Sequence, residues 1–315
     1  MLRILKPGLQ STLQGAPRLG WRHQGVPHAG PADSVSLALA NRLVDNEPDA
    51  TGLEITFGGF ECECLEDCTI SIAGASDGIL LSGQPAHAHA TLQLTAGEVL
   101  TMSPFRSGAR AYLAIHSGFQ ADRAFGSTST YLPARFGGLN GRALVEGDEL
   151  KPLGRAISDR ILETPESVRP VFTHHFAMRA CPAGETDLLD KASRDALFRD
   201  RFIVGRQGTR MGLTLTGQPL ALNSDGMMKS APVFPGTIQC PPSGLPVVLM
   251  CDAQTTGGYP RIASIARCDR HLLGQIRPGD SVILLERTPE AAAAEHAEKS
   301  ALLLDWLESE TFRLG

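Results

Sequence analysis

Glycine and proline interrupt this chain too often for long helices. It carries 33 Gly and 21 Pro among 315 residues, about one residue in six, where roughly one in eight is usual. Gly costs a helix interior about 1 kcal/mol and Pro about 3 kcal/mol relative to Ala. A helical bundle is therefore excluded, and many short strands joined by tight turns are predicted. The 42% apolar content supplies a core, and disorder is excluded on the same ground. At about 150 residues per domain, the length predicts two.

The hydropathy pattern follows that expectation. Residues 1–30 read as loop with one strand near 3–5. Residues 33–45 read as a helix, with Asp33 able to cap it and Val35, Leu39 and Leu43 at four-residue spacing. From residue 52 the period shifts towards two, predicting strands at 52–57, 60–65, 69–73, 78–81, 90–94, 99–102 and 109–116. A polar stretch at 154–170 is a candidate boundary. A second helix is predicted at 186–200, then strands at 201–204, 212–215, 236–240, 247–251, 262–266 and 281–286. Thr288-Pro289 opens a terminal helix. The expected domains are 1–160, 161–287 and a helix at 288–315. The class is mainly β with a few helices. Three Gly-acid turns precede strands, at Gly97-Glu98, Gly147-Asp148 and Gly279-Asp280, and suggest duplicated β units.

Net charge is −5 and no basic block exists, which argues against nucleic acid or an anionic membrane as the main partner. No apolar run reaches the ~18 residues of a membrane span. The first eight residues are too short and interrupted for a signal peptide. Seven Cys, an odd number, read as thiols of a reducing cytoplasm.

Several motifs resolve to plain readings. Gly74-Ala75-Ser76-Asp77-Gly78 fits the nucleophile elbow, but a strand rather than a helix follows, so it reads as a hairpin turn. Cys62, Cys64 and Cys68 read as buried thiols. His87-x-His89 and His174-His175 lack adjacent carboxylate or thiol companions, so no metal site is assigned. Met228-Lys229 lacks the flanks of a biotin-bearing lysine, so no biotin attaches here. No P-loop or G-x-G-x-x-G is present.

Three stretches carry chemistry. Cys251-Asp252-Ala253-Gln254-Thr255-Thr256-Gly257-Gly258-Tyr259-Pro260 follows a continuous apolar run. Its glycines allow close backbone approach to an anion, and its amide and hydroxyls add donors and acceptors. His28-Ala29-Gly30-Pro31-Ala32-Asp33 offers an acid–base histidine beside the helix that holds Asn41. Gly126-Ser127-Thr128-Ser129-Thr130, with Arg135 and Arg142 after it, reads either as a carboxylate or phosphate holder or as a solvated loop.

Taken together, these residues resemble one bacterial family. The resemblance rests on Pro7-Gly8, Thr12-x-Gln14, Gly25-Val26-Pro27, Gly30-Pro31-x-Asp33, Ala40-Asn41, Leu53-Glu54-Ile55-Thr56 and Gly126-Ser127-x-Ser129-Thr130. It continues through Arg210-Met211-Gly212, Pro235-Gly236-Thr237-Ile238-Gln239, Pro241-Pro242-x-Gly244 and the 252–260 block. The family is that of the 5-oxoprolinase C subunit, also called the biotin-dependent carboxyltransferase, KipA-like or allophanate hydrolase subunit 2 family. The resemblance runs from about residue 4 to 287, and the Gln-Thr-Thr-Gly-Gly-Tyr block is its most specific part.

The resemblance implies tandem cyclophilin-like β-barrel units. It also implies a cytoplasmic hetero-oligomer with a KipI-like B subunit and a lactam-utilisation A subunit. That complex would use ATP and Mg to hydrolyse 5-oxo-L-proline to L-glutamate. Asp252, Gln254 and Arg210 are the expected catalytic residues, Asp252 as general base or metal contact and Arg210 for an anionic group. Thr255, Thr256, Tyr259, Gln239, Asp33 and Asn41 are the expected substrate-binding residues. The alternatives are a carboxyltransferase using carboxybiotin on urea or a similar amide, and a regulatory module of a histidine kinase inhibitor. Three departures from the family pattern stand out: Gly15 and Pro17 in place of an acid and a glycine, Thr209 before Arg210, and Ser230-Ala231-Pro232 before Pro235.

Overall fold

The computed structural model describes every residue except Thr311 and Gly315. The chain divides into two compact units. The first comprises Met1–Arg18, Ala29–Phe172 and Leu302–Arg313, and the second Leu19–His28, Thr173–Ala301 and Leu314–Gly315.

The first unit holds eleven strands: β1 (Leu2–Pro7), β2 (Gln10–Gln14), β3 (Gly52–Thr56), β4 (Phe60–Cys64), β5 (Cys68–Gly74), β6 (Ile79–Leu81), β7 (Gln84–Pro85), β8 (Thr91–Leu94), β9 (Val99–Met102), β10 (Arg110–Ile115) and β11 (Glu149–Leu150). They form a six-stranded sheet, β11-β1-β4-β9-β6-β7, and a five-stranded sheet, β2-β3-β10-β5-β8. Alternation in β4 turns Phe60, Cys62 and Cys64 to the core, where they join Leu2, Ile4, Leu53, Ile55, Leu113 and Ile115. The three clustered cysteines are free buried thiols, as their spacing predicted, with Cys64 and Cys68 sulfurs 3.3 Å apart. Burial, followed by the charge of Cys64, pushes the Cys62 thiol up.

Helix α1 (Ser34–Leu43) starts where Asp33 accepts from Ser36 N at 3.0 Å and Ser36 Oγ at 2.6 Å. The four-residue apolar spacing predicts one buried stripe. In fact every residue from Val35 to Leu43 is buried. Ser36, Ala38 and Ala40 are small enough to let β5 approach, and Ser71 Oγ donates to Ala40 O at 2.5 Å.

The elbow-like Gly74–Gly78 segment is not a hairpin. The strands on either side, β5 and β6, lie in different sheets, so it is a corner between sheets. Gly74 has φ +94, and a Cβ there would sit 2.6 Å from Arg110 O.

The second unit closes a barrel. Its strands are β12 (His175–Pro182), β13 (Phe202–Val204), β14 (Gly212–Thr216), β15 (Ala231–Pro232), β16 (Thr237–Gln239), β17 (Val247–Leu249), β18 (Thr256–Gly257), β19 (Arg261–Ile265) and β20 (Ser281–Glu286). The barrel order is β12-β19-β16-β17-β14-β13-β20, closed by β12 running parallel to β20. β15 and β18 form a separate two-stranded ribbon.

The helix predicted at 186–200 is shorter, α2 (Lys191–Arg199), preceded by one 3-10 turn. Asp190 interrupts the run by accepting from Ser193 N at 2.7 Å as its cap. Helix α3 (Pro289–Leu307) begins as predicted, with Thr288 Oγ1 accepting from Ala291 N at 3.2 Å.

The three Gly-acid turns share one construction. Thr95 N donates to Glu98, Val145 N to Asp148 and Arg277 N to Asp280, at 2.7 to 2.8 Å. Each glycine has φ near +90. No described helix is long and apolar enough to cross a membrane.

Candidate functional site

The 252–260 segment leaves the barrel after β17 and is fastened at both ends. At its start Arg210 Nε and Nη2 donate to Asp252 Oδ2 and Oδ1 at 2.8 and 3.0 Å, and Asp252 N donates to Arg210 O at 2.9 Å. Both side chains are buried. A bidentate pair of this kind fixes orientation as well as charge. Asp252 and Arg210 therefore stand together, as the sequence expectation grouped them.

Farther along, β18 pairs with β15, and Met228 N donates to Gly258 O at 2.8 Å. The departing Ser230-Ala231-Pro232 stretch is thus the partner strand of the Thr256-Gly257 pair. Gln239, buried in β16, donates through Nε2 to Tyr259 O at 3.1 Å, and its Oε1 accepts from Gln254 Nε2 at 3.5 Å. A Cβ at Gly257 would lie 2.6 Å from Gln239 Nε2, so this glycine is required by close approach. Held this way, the segment exposes Gln254, Thr256 and Tyr259 and half-buries Thr255. That gives an amide, two hydroxyls and a phenol on one rigid ribbon.

Asp33 and Asn41 belong to the first unit, and their polar atoms have local partners. Asp33 caps α1. Asn41 Nδ2 donates to Pro48 O and Ala50 O at 3.2 and 2.9 Å, and its Oδ1 accepts from Asn46 at 3.0 Å.

The serine- and threonine-rich stretch is not a solvated loop, since Ser127, Ser129 and Thr130 are buried and their hydroxyls bind backbone of the 13–16 segment. Ser127 Oγ donates to Ala16 O at 2.5 Å, Ser129 Oγ to Gly15 O at 2.9 Å and Thr130 Oγ1 to Leu13 O at 2.9 Å. Arg18, fully buried, donates to Ser129 O and lies 4.7 Å over the Phe136 ring. Arg142 is paired with Asp148 at 2.7 and 2.8 Å. Thr128 Oγ1 would lie 2.6 Å from a Cβ at Gly15, so the glycine found there in place of the family's acid fits its neighbour.

Sequence reasoning missed further partners. His174, expected to lack a carboxylate, has its Nδ1 2.8 Å from Asp280 Oδ1; the two are 106 residues apart and no local pattern joins them. A cleft of about 680 Å³ in the first unit is lined by Ser76, Asp77, His87, His89, Glu163 and Arg169 among others. Burial, then the Arg169 charge, lowers His89 to about 4. Arg22 and Arg270 also escaped notice, since each sits in a stretch without periodicity. Among the described residues, no three His, Cys, Asp or Glu side chains gather as a metal site.

The sequence profile of the "Carboxyltransferase domain, subdomain A and B" family matches residues 24–285. The chain is 37% identical over 292 residues to the 5-oxoprolinase C subunit of Escherichia coli, covering 93% of each protein. The chain belongs to the carboxyltransferase subdomain A and B family that includes the 5-oxoprolinase C subunit. A second such C subunit, from Haemophilus influenzae, is 33% identical over 97% of each chain. Among solved structures, the Kluyveromyces lactis urea amidolyase superposes on the whole chain with a TM-score of 0.90 at 24% identity. The chain spans a fifth of that protein's length. At that identity the likeness shows the fold, which is the mainly β fold of this family.

Proposed function

We propose that this chain is the C subunit of an ATP-dependent 5-oxoprolinase, an amide hydrolase that works only as a complex with its A and B subunits. The observation that carries the reading is the 37% identity to a 5-oxoprolinase C subunit with nearly complete coverage of both chains. The exposed polar groups of the 252–260 ribbon support it.

The chemistry suits such a site. A lactam is a poor electrophile because its nitrogen feeds electron density into the carbonyl. Transfer of the γ-phosphoryl group of ATP to the lactam oxygen releases ADP and leaves an electrophilic ring carbon. Water then adds at that carbon, the ring C–N bond breaks, and phosphate and glutamate leave. ATP and magnesium are assigned to the assembly, and no residue of this chain is assigned to them.

Gln254, Thr255, Thr256 and Tyr259 would contact the cyclic amide through hydrogen bonds. Gln239 would hold Gln254 and the Tyr259 backbone, and the Arg210–Asp252 pair would hold the start of the ribbon. Asp252 is a positioning residue in this reading, because both of its oxygens face Arg210. The carboxyltransferase alternative draws on the family name and on fold likeness, and the identity and mutual coverage favour the oxoprolinase reading over it.

The test is reconstitution of the chain with the A and B subunits, scored as ATP-dependent glutamate formation from 5-oxoproline. Gln254→Ala and Tyr259→Phe, both at exposed positions, are expected to lower kcat/KM by about tenfold or more. Absence of turnover by the wild-type complex, with turnover of urea alongside a biotinylated carrier, would replace the reading with the carboxyltransferase one.

A further inference from the structure

The turn at 233–236 in the second unit carries two arginines from distant parts of the chain. Arg22 donates from Nη2 to Val233 O and, at 3.3 Å, to Thr255 O, with its guanidinium 4.7 Å over the Phe234 ring. Its Nη1 is closed off from solvent and has no hydrogen-bond partner. Arg270 runs along the other end of the turn. Gly236, at φ +87, leaves room for it, since a Cβ there would sit 2.9 Å from Arg270 Nε. That Nε donates to Ile265 O at 3.2 Å.

His28 lies in the field of both cations. Its pKa falls below the ordinary histidine range through burial first, then through the charges of Arg22 and Arg270. Among the described residues, neither Arg22 nor Arg270 is paired with a carboxylate. Arg270 is held at about 10, pulled down by burial and by the Arg267 charge.

Two half-buried guanidinium groups on one turn, without an acid, are a costly arrangement unless an anion completes it. Guanidinium N–H groups suit planar carboxylate and tetrahedral phosphoryl oxygens alike, and partial burial strengthens both contacts. The Arg22 bond to Thr255 O ties this cluster to the ribbon that bears Gln254 and Tyr259. We infer that Arg22 and Arg270 form an oxyanion site that holds the carboxylate or the phosphoryl group of the substrate acted on at that ribbon. This inference rests on the oxoprolinase reading for the identity of the substrate, and on the cluster itself for the site.

The experiment has two arms. In the first, Arg270→Gln and Arg22→Gln chains are reconstituted with the A and B subunits. The KM for 5-oxoproline is expected to rise about tenfold or more with kcat changed far less, and Arg270→Lys to recover part of the loss. In the second, the His28 imidazole of the full wild-type chain is titrated by NMR with inorganic phosphate and, separately, with 5-oxoproline. A bound anion stabilises the imidazolium, so the His28 pKa must rise. A rise with phosphate assigns the site to a phosphoryl group, and a rise with 5-oxoproline alone assigns it to the carboxylate. Unchanged KM in both Gln variants, together with an unmoved His28, overturns the site. If the wild-type complex makes no glutamate, the oxoprolinase reading fails, while the phosphate titration still decides the site.

Discussion

Each unit buries a carboxylate against an arginine, and the two do it differently. In the first unit Glu54, in the middle of β3, accepts from Arg110 Nε at 3.2 Å, from Tyr112 OH at 2.7 Å and from Ala32 N at 2.9 Å. Tyr112 OH in turn accepts from Asp33 N at 2.8 Å. One charge is shared among donors from one neighbouring strand, β10, and the loop that enters α1. In the second unit Asp252 directs both oxygens at one guanidinium. The shared network ties a helix start to a sheet, whereas the single clasp fixes where one functional ribbon begins. A distributed network loses one bond when one donor is removed; a clasp loses both of its bonds together.

The largest expected effect tests that contrast. Asp252→Ala removes both charged bonds to the buried Arg210 guanidinium at once and should cost about 3–5 kcal/mol in urea unfolding. The paired replacement Arg210→Met with Asp252→Leu should recover most of that loss. A loss below about 1 kcal/mol for the single variant would mean the clasp does not anchor the ribbon.

Tyr112→Phe is the matching probe of the network. It removes one donor to Glu54 and the acceptor for Asp33 N, at an expected cost of about 1–3 kcal/mol. Equal losses in Tyr112→Phe and Asp252→Ala would erase the distinction between the two units.

A pH series sharpens it further. Burial and the Arg169 charge hold His89 at about 4 in the first unit, and burial holds His271 well below the ordinary value in the second, aided by the Lys299 and Arg179 charges. Between the unfolded value of about 6.5 and the folded value, the unfolded chain binds more protons. Stability should therefore rise as pH climbs from about 4 to 6.5 and fall on acidification through that window. His89→Gln should flatten the slope of unfolding free energy against pH by close to one proton. A slope unchanged by that substitution contradicts a buried neutral His89.

The helix caps give the smallest contrast. Asp33→Ala, at a fully buried cap, should cost about 1 kcal/mol or slightly more. Asp190→Ala, at the cap of α2, should lower Tm by less, and calorimetry of both variants orders them.

Much of the first unit was legible because its signals are local. Alternation in Phe60-Glu61-Cys62-Glu63-Cys64 is a property of five adjacent residues, and so is the cap before α1. The strand Gln10–Gln14 was missed because its composition is polar. The residues from Ser11 to Gln14 are nevertheless buried, and Ser11 Oγ donates to Pro7 O at 2.6 Å and Gln14 Nε2 to Thr130 O at 3.3 Å. The candidate site was legible as a block of residues, 252–260, and not as a geometry. Nothing in that block states that Arg210, 42 positions earlier, clasps Asp252, or that Gly257 must lie against Gln239.

Dense glycine and proline ruled out long helices by local conformational cost, and alternation set which strand faces turn inward. Those outcomes follow from neighbours along the chain, and the sequence alone determined them, together with the family that the motif order identifies. The tertiary structure decided the rest. It closed β12 onto β20 across a hundred residues and turned the elbow-like segment into a corner between sheets. It gave the hydroxyls of Ser127, Ser129 and Thr130 to the backbone of 13–16, and it set Arg22 and Arg270 at the two ends of one turn. Each of these depends on groups far apart in sequence meeting in a buried setting, where an unpaired polar atom is costly and its partner is chosen by the fold.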